Sequence, residues 1–336
     1  MIKLLVTDLD GTLLKDDKTI SQHTINMIHK MIDKGHYFVI STGRPFFRIT
    51  KILESLDIIN DKNICICNNG GLIITTDGSK TLYEEKMEEG SIIELVDLAI
   101  KFNLNMLVYQ KDYIVTDYLD DRIDLLKGQS CVKIIEGGKE ALKSLTDVYK
   151  VVFNASDEEL FAARDKIPTE LLSRYNFVYT GKNFLEVNKK TIDKGIGLKR
   201  LIEILNIDIN NTYAVGDEEN DLSLVKAAGI GCAVSNANPK LKEVASYITL
   251  SNEESIFSLT LECNFITRKR DVYQYVQIAM TIMDRDTEER EYRPFMKIYD
   301  NYPKYLFTTD TMLQKRDGVI HCNLIDFIAE NKELEK

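Results

Sequence analysis

The sequence predicts an α/β protein: a doubly wound parallel sheet, an α/β module inserted into it, and an extra α+β segment after it. Two observations predict this. Apolar, β-rich runs near the start alternate with amphipathic stretches, the pattern of strands joined by helical crossovers. That alternation breaks off near residue 81 and resumes near residue 189, so the stretch between reads as an insertion. The 336 residues suit about two domains of roughly 150 residues each. Hydrophobic residues make up 44% and charged residues 29%, the balance of an ordinary folded chain.

Residues 2–7, 37–41 and 64–67 are apolar runs that read as strands ending in small or polar residues. Between the first two, residues 21–34 carry Ile25, Ile28, Met31 and Ile32 at helical spacing. Ser21 suits the helix N-cap and Gly35 its C-terminal stop. Pro45 suits a first helical turn, after which Phe46, Ile49, Ile52, Leu53 and Leu56 outline an apolar stripe. Inside the insertion, residues 91–102 read as a helix, 105–115 as two short strands and 148–154 as another strand. Residues 158–174 then read as one helix and 175–187 as strand. The first pattern resumes with a helix at 194–205, a strand at 212–215 and a helix at 222–228. The domains are therefore a core of 1–80 plus 189–255, an insertion at 81–188, and a C-terminal extension at 256–336. The extension is dense in aromatic residues, among them Tyr273, Tyr292, Phe295, Tyr305 and Phe307.

The net charge of −10 argues against a partner that presents a phosphate backbone, so no nucleic-acid role is expected. An anionic ligand would then need cations gathered locally, as side chains or as a metal. Cys65, Cys67, Cys131, Cys232, Cys263 and Cys322 are scattered, and Cys65 and Cys67 form only CxC. Two residues apart on a strand, that pair points one way as small buried apolar side chains. The apolar start is too short for a signal h-region, and no run nears the ~18 apolar residues of a membrane span. A reduced, cytoplasmic chain with no membrane association is the expectation.

Four constellations carry chemistry. Asp8-Leu9-Asp10-Gly11-Thr12-Leu13 leaves an apolar strand, and residues two apart at such an exit can face one side. Two close carboxylates repel unless a cation or a proton sits between them. A polar turn is the plainer alternative; an EF-hand loop is excluded because Leu13 and Thr19 stand where its glycine and glutamate belong. Ser41-Thr42-Gly43-Arg44-Pro45 joins a strand to a helical turn, where a hydroxyl and free N–H groups can cradle phosphate or simply cap the helix. Lys194-Gly195 opens a helix after the insertion. Gly216-Asp217-Glu218-Glu219-Asn220-Asp221 follows a strand and opens the next helix, which suits Mg²⁺ as well as an acid-rich cap.

Together, in this order, the four resemble the haloacid dehalogenase superfamily and, within it, the Cof-type sugar-phosphatase branch. The resemblance covers about residues 1–255. It rests on DLDGTLL, STGRP, NNGG at Asn68–Gly71, the lysine of VNKKTIDKG, and GDEENDLSLVKAAG. It implies a Rossmann-like core with an inserted cap, and Mg²⁺-dependent hydrolysis of small phosphorylated metabolites, sugar phosphates first. Asp8 would be the nucleophile that forms an aspartyl-phosphate, and Asp10 the general acid and then base. Asp8, Asp217 and the backbone carbonyl of Asp10 would hold Mg²⁺. Thr42, the N–H groups of Gly43 and Leu9, Lys194 and Asn220 would bind phosphoryl oxygens. Asp221 would orient Lys194 or metal-bound waters, and Arg44 and Asn69 would stand at the rim toward cap or substrate. No polar cluster inside the insertion stands out as a leaving-group contact.

The extension departs from that branch. QYVQIAMTIMDRDTEEREYRPFMKIYDNYPKYLFTTD and RDGVIHCNLIDFIAE resemble the C-terminal, nuclease-like part of certain predicted prokaryotic AAA-type ATPases. Asn264 stands where that fold wants an acid and Ala279 where it wants a lysine, and no GxxxxGK[ST] loop occurs. A non-catalytic structural or interaction module is expected there, the place for a protein partner or self-association. Two alternatives stand beside the phosphatase: a binding protein with a vestigial core acting through this extension, and a phosphomutase sharing Asp8 and Asp10.

Overall fold

The computed structural model describes all residues except 1, 120–131, 181, 254–264, 270–271, 279–281, 284, 297, 299–301, 314, 324–325 and 327–336. The chain divides into two compact units, Met1–His36 with Ile209–Lys336, and Tyr37–Asp208. No helix among the described residues is long and apolar enough to cross a membrane.

In the first unit the strands Tyr247–Thr249, Ile230–Val234, Thr212–Gly216 and Leu4–Thr7 lie side by side in that order, all parallel. Leu4 and Val6, on one face of their strand, are fully buried, and so is Thr7 on the other. The helix Gln22–Asp33 forms where the 3.6-residue spacing placed it. Ser21 caps it, its hydroxyl accepting from the Thr24 N–H at 3.1 Å, and Gly35 ends it at φ 78°.

The extension adds a five-stranded mixed sheet. Its order is Phe265–Lys269, Val272–Ile278, Lys304–Thr308, Val319–Asn323 and Lys315–Arg316, with the helix Arg285–Met296 before the third strand in sequence. Ile282, Tyr292, Phe295, Leu306 and Val319 form its apolar core, and Tyr247 and Leu250 pack against that core from the end of the parallel sheet. Asn264 and Ala279, the positions expected to have lost nuclease chemistry, lie outside the described residues.

In the second unit Tyr37–Ser41 pairs in parallel with Ile64–Cys67, which continues antiparallel into Leu72–Thr75 and Thr81–Glu84. This hairpin is absent from the sequence reading. Asp77 makes it, its Oδ1 accepting from the Ser79 N–H at 3.0 Å, with Gly78 at φ 74° completing the turn. Cys65 and Cys67 are buried with their sulfurs 3.9 Å apart, the same-face arrangement expected of CxC on a strand.

A six-stranded sheet follows, ordered Tyr175–Tyr179, Phe184–Lys189, Lys150–Asn154, Asn105–Tyr109, Ile114–Thr116 and Val132–Ile134. Leu95, Val96, Met106, Val108, Phe153, Leu160 and Val187 share one apolar core. The single helix expected over 158–174 is two, Asp157–Arg164 and Thr169–Arg174. Pro168 lacks an N–H and bars the helical region to Ile167, so the chain must break there.

Candidate active site

The first unit gathers three carboxylates. Asp8 stands just past Leu4–Thr7, its N–H donating to the Val215 carbonyl at 2.8 Å, so the ladder itself places it beside the end of Thr212–Gly216. Asp217 follows that second strand, and Asp221 lies one turn on. One carboxylate oxygen from each of Asp8, Asp217 and Asp221 lies within 4.8 Å of the others, and all three residues are buried.

The loops leave no slack around this trio. The Thr12 hydroxyl donates to Asp217 Oδ1 at 2.8 Å, and the Asn238 N–H donates to the Asp217 carbonyl at 2.7 Å. Asp221 Oδ2 accepts from the N–H groups of Asp217 and Glu218 at 3.1 and 3.2 Å. A Cβ at Gly11 would fall 2.3 Å from Asp217 Oδ2, and Gly11 also sits at φ 78°, so only glycine serves there. The Gly11 carbonyl accepts from Asn236 Nδ2 at 2.9 Å.

Burial pushes the Asp217 carboxyl up to about 6, and the negative charges of Asp221 and Glu218 push the same way. Three buried carboxylates facing one another repel, and hard oxygen donors of this kind fit Mg²⁺. Asp10 takes a different setting: it is partly exposed, and its Oδ1 accepts from Lys18 Nζ at 3.2 Å. Asn220 is exposed, beside the buried Asp221.

The second unit gathers the hydroxyl, the amides and the lysine. The Arg44 N–H donates to Thr42 Oγ1 at 3.2 Å, which leaves the hydroxyl proton of Thr42 for another acceptor. The N–H groups of Asn69 and Asn68 donate to the carbonyls of Thr42 and Arg44 at 3.0 and 3.1 Å. Asn68, Asn69 and Gly70 all have positive φ (51°, 56° and 101°), a turn that Asn-Asn-Gly can make at low cost.

The helix Lys194–Leu205 packs onto this turn. A Cβ at Gly197 would lie 2.8 Å from the Gly70 Cα, so glycine on both sides permits the approach. Asp193 caps the helix, its Oδ1 accepting from the Ile196 N–H at 2.7 Å, and Lys194 is buried at 1% exposure. Thr42, Gly43, Arg44, Asn69 and the start of the Lys194 helix are thereby brought together.

Sequence reasoning missed Thr12, Asn236 and Asn238, and it singled out no polar cluster of the insertion as a leaving-group contact. The structure adds a buried polar cluster there. Lys150 and Glu186, on neighbouring positions of the six-stranded sheet, form a buried ion pair at 2.6 Å. Asn69 Nδ2 and Asn188 Nδ2 each donate to Glu186 Oε1 at 2.7 Å. A lone lysine in YKVVFN and a lone glutamate in FLEVNK, each among apolar residues, were the available signal.

Residues 5–257 match the family described as haloacid dehalogenase-like hydrolase. The chain is 32% identical over 258 residues to the 5-amino-6-(5-phospho-D-ribitylamino)uracil phosphatase YcsE of Bacillus subtilis, covering 75% of this chain and 92% of that one. Among solved structures, a haloacid dehalogenase-like hydrolase from Bacteroides thetaiotaomicron superposes with a TM-score of 0.69 at 29% identity, over 76% of this chain and 97% of that one. The fold is also that of TM0651 from Thermotoga maritima, with a TM-score of 0.70 at 24% identity over 81% of this chain and all of that one (100%). On these grounds the chain belongs to the haloacid dehalogenase-like hydrolases.

Proposed function

We propose that this hydrolase is a phosphatase of small phosphorylated metabolites, acting through an aspartyl-phosphate on Asp8. The observation that carries the reading is the buried trio of Asp8, Asp217 and Asp221. Its donor set fits Mg²⁺, which Asp8, Asp217 and the Asp10 carbonyl would hold, with Asp221 supporting Asp217 through the backbone N–H groups it accepts from. When bound, Mg²⁺ offsets the repulsion between an anionic nucleophile and an anionic substrate.

The protein's own groups then have these roles. An Asp8 oxygen forms a bond to phosphorus as the bond to the leaving oxygen breaks, and Asp10 gives that oxygen a proton. Asp10 next takes a proton from water, which attacks phosphorus, frees the Asp8 carboxylate and releases inorganic phosphate. The Thr42 hydroxyl, the N–H groups of Gly43 and Leu9, Lys194 and Asn220 receive the phosphoryl oxygens. The Thr42 proton left over by its acceptor role toward Arg44 supports this.

Sugar and polyol phosphates are the proposed substrates; the relative named for a phosphoribitylamino compound supports a polyol next to the phosphate. The boundaries 1–80 with 189–255 for the core and 81–188 for the cap belong to the same reading, as does a cytoplasmic location. For the extension we keep a non-catalytic structural or interaction role, which its shared core with Tyr247 and Leu250 supports.

The test is Asp8→Asn with p-nitrophenyl phosphate and Mg²⁺. Turnover should vanish while the circular dichroism spectrum stays that of the parent. Equal turnover in parent and variant rejects Asp8 as nucleophile, and a parent inactive on a broad phosphate panel favours the vestigial binding protein.

A further inference from the structure

Three successive carbonyls of the Thr42–Arg44 loop are each held by a separate donor. Those of Thr42 and Arg44 are held by backbone N–H groups of the adjoining Asn68–Gly70 turn. The Gly43 carbonyl is held by a side chain, Lys150 Nζ at 2.9 Å, reaching in from a strand 107 positions away. Lys150 is 5% exposed and Glu186 7% exposed, so this is a buried pair, and its polar capacity is spent locally. The ammonium meets the Gly43 carbonyl, Glu186 Oε2 at 2.6 Å and the face of Tyr109, whose centroid is 4.8 Å away. Glu186 Oε1 takes Asn69 and Asn188.

A ligand-binding lysine would keep a donor for the ligand; this one is committed to a main-chain carbonyl. Room is short as well, since a Cβ at Gly43 would lie 2.8 Å from Asn69 Oδ1. A side chain at position 43 would therefore strike Asn69, whose amide donates to Glu186.

We propose that Lys150, clamped by Glu186, is a positioning residue of the hydrolase that fixes the main chain at Gly43. This rests on the reading above, in which the same loop offers the Thr42 hydroxyl and the Gly43 N–H to the phosphoryl group. Loop geometry, and with it turnover, then depends on two strands of the six-stranded sheet.

The test uses the full chain carrying Lys150→Met together with Glu186→Gln, which removes both charges and leaves neither buried and unpaired. Two quantities are read: kcat and KM for p-nitrophenyl phosphate with Mg²⁺, and amide hydrogen exchange of the peptide spanning residues 41–46. The expected result is a melting temperature near the parent's, a kcat lower by about tenfold or more with a smaller change in KM, and exchange at 41–46 faster by about tenfold. Retention of the parent's kcat by Lys150→Arg alone, which keeps a charged donor at that position, adds support. A folded double variant with the parent's kcat and the parent's exchange overturns the proposal. If the double variant does not fold, Glu186→Gln alone is read the same way, with kcat lower by about threefold or more. If the parent turns over no phosphate ester, the phosphatase reading falls, and hydrogen exchange alone still decides whether Lys150 holds the loop.

Discussion

Thr12 and Asp217, 205 positions apart, are joined by a buried hydrogen bond of 2.8 Å from the threonine hydroxyl to Oδ1. It ties the loop that follows Asp8 to the loop that carries the other two acids of the buried trio, and it gives a buried carboxylate a neutral donor.

Replacing Thr12 with Val keeps the volume and removes that donor. Unfolding by urea should show a loss of about 2 kcal/mol, the scale of a buried hydrogen bond to a charged group. A change below about 0.5 kcal/mol would mean that the bond contributes nothing to the fold.

Asp217 has a folded-state pKa of about 6 against an ordinary value of 3.8. Between those values the folded protein holds a proton that the unfolded chain releases, so stability in EDTA should fall as pH rises through roughly 4 to 6. A bound cation relieves the repulsion above that window. The rise in melting temperature on adding Mg²⁺ should therefore be larger at pH 7.5 than at pH 5, as scanning calorimetry would show; a larger rise at pH 5 would contradict the carboxylate site.

Gly197 lies inside a helix, where Ala is ordinarily better by about 1 kcal/mol. Here a Cβ would meet the Gly70 Cα at 2.8 Å and Ile66 Cγ2 at 3.1 Å. Gly197→Ala should thus destabilise, by about 1–3 kcal/mol as overpacking does, and raise KM for the aryl phosphate. A more stable variant in chemical denaturation would show that the approach of helix and turn is loose.

Burial pushes the Cys232 thiol up to about 12 and the Cys67 thiol well above its usual range. Neither should react with iodoacetamide at pH 8 in the folded protein, and both should react in guanidinium, as peptide mass spectrometry can score. Labelling of native Cys67 within minutes would contradict its burial.

Local signals were the legible ones. The 3.6-residue spacing and Ser21 located the first helix, and the helix Lys194–Leu205 has the ends its sequence announced. The Asp8, Asp217 and Asp221 acids were readable because each follows a strand and precedes a turn or helix. The hidden features lack a clean local pattern or depend on pairing across distance. The Leu72–Thr75 and Thr81–Glu84 hairpin is short and its second strand is partly polar, so it lacks a clean alternation. The Lys150–Glu186 pair joins residues 36 positions apart, and neither residue's own neighbourhood predicts the other. The break before Pro168 is also a local signal, since proline lacks the N–H and disfavours helix at the residue before it.

Tyr247 and Leu250, at the margin of the parallel sheet, share an apolar core with the last module. That junction makes the added segment costly to lose over evolutionary time. A descendant that shed residues 256–336 would bare two large apolar side chains to water, so shortening and repainting those two positions with polar residues would have to go together.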